Sequence, residues 1–328
     1  MASFFRNDVL GKAWSATWTH KSLWFFGLFA AILSFGEEYD ILIRNGDILD
    51  GIPRRLEQFK VAAEQGIFAG FTDSLKTFFQ VNPAGSLNII ATWAIAVLAL
   101  AWLVIVAQGA LIEGARRHEE GKSLNVLGGF DVGMSNFWPI FLVNVIAKVV
   151  VYGALLVVIA PLALVFFKTG SIAAALSIML WTFIVLFPLI VIIAFVTKFA
   201  NAYIVIKQYP VRQAIAAGWT LFTRHWLVTI ELALLLIAVN FVTVYVTVST
   251  LINAFDFPNL ATGEYLAFFV ILGFIFAWLT TFQFMAWTFL FLRLEADEAP
   301  SKLKRIIHYL LDIREQPSKP AVAARVRR

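Results

Sequence analysis

Apolar runs of membrane-crossing length constrain this chain more than any other feature. Crossing about 30 Å of hydrocarbon takes roughly 20 helical residues, and residues 87–112, 137–167, 172–197, 226–252 and 265–292 all satisfy that requirement. A sixth run, residues 22–36, is shorter, but the helical pattern continues upstream through Trp14 and Trp18. It reads as a span. Its alternative is a cleaved signal peptide, because Ser34, Phe35 and Gly36 form a small-x-small site after an apolar stretch. Charged residues make up only 14% of the chain, against about 25% in soluble domains. The expectation is an all-α integral membrane protein with six transmembrane helices.

Orientation follows from the lysines and arginines, which cytoplasmic segments retain. They concentrate in residues 1–21, 113–136, 198–225 and 293–328, alternating with acid-rich segments on the other side. Both termini are therefore expected in the cytoplasm, and the net charge of +5 reflects topology rather than nucleic-acid binding. Residues 1–292 form the membrane domain, with residues 37–85 as an extracytoplasmic loop too small for an independent enzyme domain. Residues 293–315 read as a cytoplasmic amphipathic helix, and residues 316–328 as a disordered basic tail.

A weak internal repeat runs through the spans. Ala13, Trp14, Ser15 and His20 recur at constant offset as Gly218, Trp219, Thr220 and His225, each set just before a span. Phe137 and Trp138 enter the third span as His225 and Trp226 enter the fifth. The predicted unit is an interfacial helix plus two spans, present three times. In the first interfacial helix Phe5, Val9, Ala13 and Trp18 share one face. In the one before span five, Val211, Ile215, Trp219, Phe222 and Trp226 do so. Lys12, Arg212, Arg224, Lys302, Lys304 and Arg305 are the candidate contacts to an anionic lipid surface. The competing expectation is that these helices cap the bundle or join the next span as one bent helix.

Ionisable groups inside spans need a reason to be there. Lys148 and Glu231 are the two so placed. They form a candidate polar network with Asn144 and Asn240, which Gln108 and Gln283 extend. A structural pair fixing helix registry is one reading; a proton or solute pathway is the other. Pro161 and Pro188 interrupt spans three and four. Gly129 and Gly133 make a G-x-x-x-G outside the hydrocarbon, weak as a dimer signal.

No hydrolase, zinc-protease or nucleotide-binding motif is present, and there is no cysteine. His20, His118, His225 and His308 are scattered rather than paired, so neither metal nor cofactor is expected. An enzyme is the least supported class.

The tryptophan-bearing leader before Leu23, Trp24, Phe25, Phe26 and Gly27, with Ala217, Gly218 and Trp219 before span five, resembles a group of bacterial multi-span membrane proteins. These are similar to the membrane domain attached to some glycerophosphodiester phosphodiesterases. The resemblance implies a bacterial cytoplasmic membrane and a six-span fold. It does not imply phosphodiesterase activity, since no residues here could carry that active site. The expected function is non-enzymatic: membrane organisation, lipid interaction, or a subunit of another membrane protein. The alternative is a permease for a lipophilic or small solute using Lys148 and Glu231.

Overall fold

A computed structural model describes residues 8–37, 76, 83–169, 172–254 and 262–296. Among these the chain is helical without strands: α1 (Gly11–Thr19), α2 (Leu23–Glu37), α3 (Pro83–Glu119), α4 (Val126–Ser135), α5 (Phe137–Thr169), α6 (Ile172–Lys207), α7 (Val211–Ala254) and α8 (Thr262–Glu295). Five of them, α3 and α5 to α8, contain stretches long and apolar enough to cross a membrane. This is a multi-pass membrane architecture. Of the expected loop over residues 37–85, Glu37 closes α2 and residues 83–85 open α3, whose helix starts four residues earlier than the apolar run. The rest of that loop lies outside the described residues except Lys76, as do the basic tail, Lys302, Lys304 and Arg305, and the amphipathic helix beyond Ala296.

Short helices precede long ones at three breaks. His20 separates α1 from α2 and Asn136 separates α4 from α5, while α7 bends at His225, whose φ of −127° and ψ of 26° are not helical. At the first turn of α4, the Asn125 side chain accepts from the Gly128 backbone N–H at 2.9 Å, satisfying an orphan donor of the helix N-terminus. The segment before span five thus joins that span as one bent helix, one of the two arrangements the sequence allows.

Ion pairs gather the helix ends at one pole. Glu119 at the end of α3 accepts from Lys12 of α1 (2.6 Å) and Arg293 of α8 (3.0 Å), and Lys207 of α6 meets Glu295 of α8 at 3.0 Å. Next to this charged end the packing is tight because residues are small. A Cβ on Gly27 would collide with Thr281 Oγ1 and the Ala277 carbonyl, so only glycine permits α2 and α8 to cross so closely. Gly133 of α4 lies against the Val106 carbonyl of α3 in the same way, and Gly129 against Phe26 of α2. The G-x-x-x-G therefore packs helices within the chain.

Burial follows the same polarity. Residues 104–115 of α3 are all buried, whereas residues 87–101 are exposed on every side of the helix. Apart from Asn88 and Thr92 that exposed half is apolar all round, including Trp93, Ile95 and Leu98 at 68 to 69% exposure, as lipid solvation permits and water does not.

The interfacial stripes are rotated from expectation. On α1 the buried face is Val9, Ala13, Ala16 and Thr17, while Trp14 and Trp18 stay exposed; at the start of α7 Ala214, Leu221, Phe222 and His225 are buried, while Trp219 and Trp226 stay out. On α1 the small side chains are fully closed off, whereas the Trp14 and Trp18 rings pack against Trp278 of α8 with part of each ring still exposed.

Candidate functional site

A polar cavity of about 70 Å³ lies between α3, α5, α6 and α8, lined by Gln108, Asn144, Lys198, Asn201, Gln283 and Trp287 among others. At about 1.5 Å per residue, Gln108, Lys198 and Gln283 sit roughly 13–17 Å below the charged ends of their helices. Gln108 Oε1 accepts from Asn144 Nδ2 at 3.2 Å and from Asn201 Nδ2 at 3.4 Å. Asn144 also donates to the Ile140 carbonyl at 2.9 Å, which fixes its rotamer. Asn201 Oδ1 is buried without a hydrogen-bond partner, and a lone acceptor costs about 1–3 kcal/mol until a donor reaches it. The Lys198 ammonium stands 4.7 Å from the centroid of the Trp287 ring, a cation–π contact that offsets part of its desolvation.

An apolar groove of about 640 Å³ opens between α6 and α7, with Phe187, Pro188 and Val191 on one wall and Trp226, Ala233 and Ile237 on the other. Pro188, inside α6, supplies no N–H for the carbonyl one turn before it and lines the groove.

Of the four predicted network residues, only Asn144 lines the polar cavity. Lys148 lies one turn further along α5, half-buried. Glu231 is half-buried on α7, and Asn240, 1% exposed, has its Oδ1 without a hydrogen-bond partner. Lys198 and Asn201 escape the sequence reading because the fourth apolar run stops at Thr197, before the first lysine. The signal was present: Phe199, Ala200 and the run from Ala202 to Ile206 continue the apolar pattern to Lys207, where α6 ends.

The expected scatter of histidines is corrected at the charged end. His20 Nε2 and His118 Nδ1 are 3.1 Å apart, because the turn between α1 and α2 folds onto the end of α3. Burial pushes the pKa of His20 below its usual value. Lys12, expected at the lipid surface, is held by Glu119 at 2.6 Å, while Arg212 and Arg224 are exposed. Glu113 is 3% exposed and accepts from Arg116 (2.6 and 2.7 Å) and Arg117 (2.8 Å). Exposed Glu120 is held below the usual carboxylate range by its hydrogen bond from Lys122 and the charge of Arg116. Among the described residues no group of three or more His, Asp or Glu is placed to hold a metal ion.

No family model, curated protein or solved structure matches the chain.

Proposed function

We propose that this chain is a non-enzymatic protein of the bacterial cytoplasmic membrane that binds bilayer lipid. It has six spans in three repeats, and both termini lie in the cytoplasm. The observation that carries this reading is the groove between α6 and α7, an apolar concavity within the size range of small-molecule sites, roughly 300–1,000 Å³. Thr223 and Trp226 line it together with the apolar side chains. The orientation rests on the basic segments meeting at the charged end. The sixth span rests on α2, which leaves that end beside Gly114 and runs down α8 as far as Gly273.

The test is photocrosslinking of the full chain in nanodiscs containing a phospholipid with a diazirine in its acyl chain. Label should concentrate on residues 187–195 and 226–237, and Ala233→Trp should remove it. Label spread evenly over exposed apolar positions such as Leu98 and Val149 would overturn the reading.

A permease is the second reading, favoured by the buried amides of the polar cavity one turn from Lys148. In that case Lys148→Ala abolishes solute flux and leaves the fold intact. If Lys148 and Glu231 form a structural pair, the same change lowers stability, and apolar replacement of both restores it.

A further inference from the structure

Side-chain amides of α5, α3 and α6 form a chain, and one backbone atom fixes its direction. The Ile140 carbonyl can only accept, so the Asn144 atom 2.9 Å from it is the NH2 nitrogen. The same nitrogen donates to Gln108 at 3.2 Å, which must present its oxygen there. Asn201 meets that oxygen at 3.4 Å, again with its NH2. Turning any one amide over would set oxygen against oxygen or hydrogen against hydrogen. With its oxygen occupied by two donors, Gln108 has its own NH2 group left for the cavity it lines. Gln283 of α8 brings a whole amide to the same cavity, half-buried, and among the described residues no hydrogen bond joins it directly to the amides of the other three helices. Thr288, also of α8 and also on the cavity wall, gives its hydroxyl hydrogen to the Phe284 carbonyl at 2.8 Å, which leaves its oxygen to accept.

We propose that the polar cavity is a water site inside the membrane, and that its water bridges Gln283 and Thr288 of α8 to Gln108 of the amide chain. Two conditions decide whether a hollow holds water: room and polar partners. About 70 Å³ is open here to the centre of a water molecule, against roughly 10–15 Å³ needed for one, so more than one fits. Partners of both kinds line it. The NH2 groups of Gln108 and Gln283 donate, and the oxygens of Gln283 and Thr288 accept. Lipid tails cannot supply these bonds, because hydrocarbon neither donates nor accepts. A bridging water is nearly as good in enthalpy as a direct hydrogen bond, so it ties α8 to the other three helices where no amide of α8 reaches theirs. The inference depends on neither the lipid-binding nor the permease reading.

X-ray hydroxyl-radical footprinting of the full chain in nanodiscs tests this, since radicals born from a bound water oxidise the side chains beside it even where bulk solvent is excluded. Phe199 and Phe289 are both 1% exposed, but of the two only Phe199 lines the cavity. Phe199 should be oxidised several-fold faster than Phe289. Trp287, which also lines the cavity, should likewise outpace the fully buried Met285 of the same helix. Gln283→Leu, which keeps the volume and removes the amide, should bring Phe199 and Trp287 down toward the rate of Phe289. Equal rates at Phe199 and Phe289 in the unaltered protein would overturn the water site. Rates at Phe199 and Trp287 that Gln283→Leu leaves unchanged would overturn the bridge to α8. If Gln283→Leu does not fold, Thr288→Val, which removes the other acceptor of α8, takes its place with the same two outcomes.

Discussion

Glu113 and His20 show how single side chains tie the charged end together. Glu113 is nearly closed to solvent and answers two arginines, so Glu113→Gln leaves their guanidinium groups with a weaker, neutral acceptor. A loss of about 1–3 kcal/mol follows. It reads as a lower Tm in detergent, and an unchanged Tm would contradict it. His20 works in the opposite direction. Its folded-state pKa is depressed by burial below the usual 6.5, so the unfolded chain takes up its proton first as pH falls. The stability it contributes is complete above about pH 6.5 and declines below that as pH approaches the folded-state pKa. His118 faces it, with Lys12 and Glu119 nearby. The Tm of the protein should fall between pH 7 and pH 5, and His20→Asn should flatten the profile.

Helix contacts were legible in part. Apolar run length located α3 and α5 to α8, because stretches long and apolar enough to cross a membrane are recorded directly in composition, and a shorter apolar run located α2. Which face of each helix packs was less legible. Val9 and Ala13 lie on the inward face of α1 as expected, while Trp18, expected beside them, stays partly exposed and packs its ring against Trp278 of α8, a neighbour remote in sequence. The end of α6 is hidden in the sequence for a related reason. Lys198 looks like a boundary to any rule that stops a span at its first charge, although Trp287, which accommodates it, lies on a helix remote in sequence. Close crossings are what the packing depends on. Gly27→Ala puts a methyl group into Thr281 and the Ala277 carbonyl, and should destabilise by about 1–3 kcal/mol through forced separation of α2 and α8. Gly153→Ala, where the added atom meets nothing within 4 Å, is the control and should leave the Tm unchanged or slightly raised.

Across the whole molecule the decisive asymmetry is that the packing lies toward one end. The proposed orientation is directly testable because the chain has no cysteine, so each one introduced is a unique reporter. Lys122→Cys should resist a membrane-impermeant maleimide in intact cells, whereas Ala84→Cys, at the far end of α3, should react; the reverse pattern would invert the topology. Residues 87–101 of α3, exposed on every side among the described residues, have a further consequence. A rod anchored at one tip and loose along the other half can lean. Leaning shortens its projection on the bilayer normal, so the protein can match thinner membranes without disturbing its own core. Its melting temperature should change little between short- and long-chain phosphatidylcholine, where a bundle packed along its full length would register the mismatch.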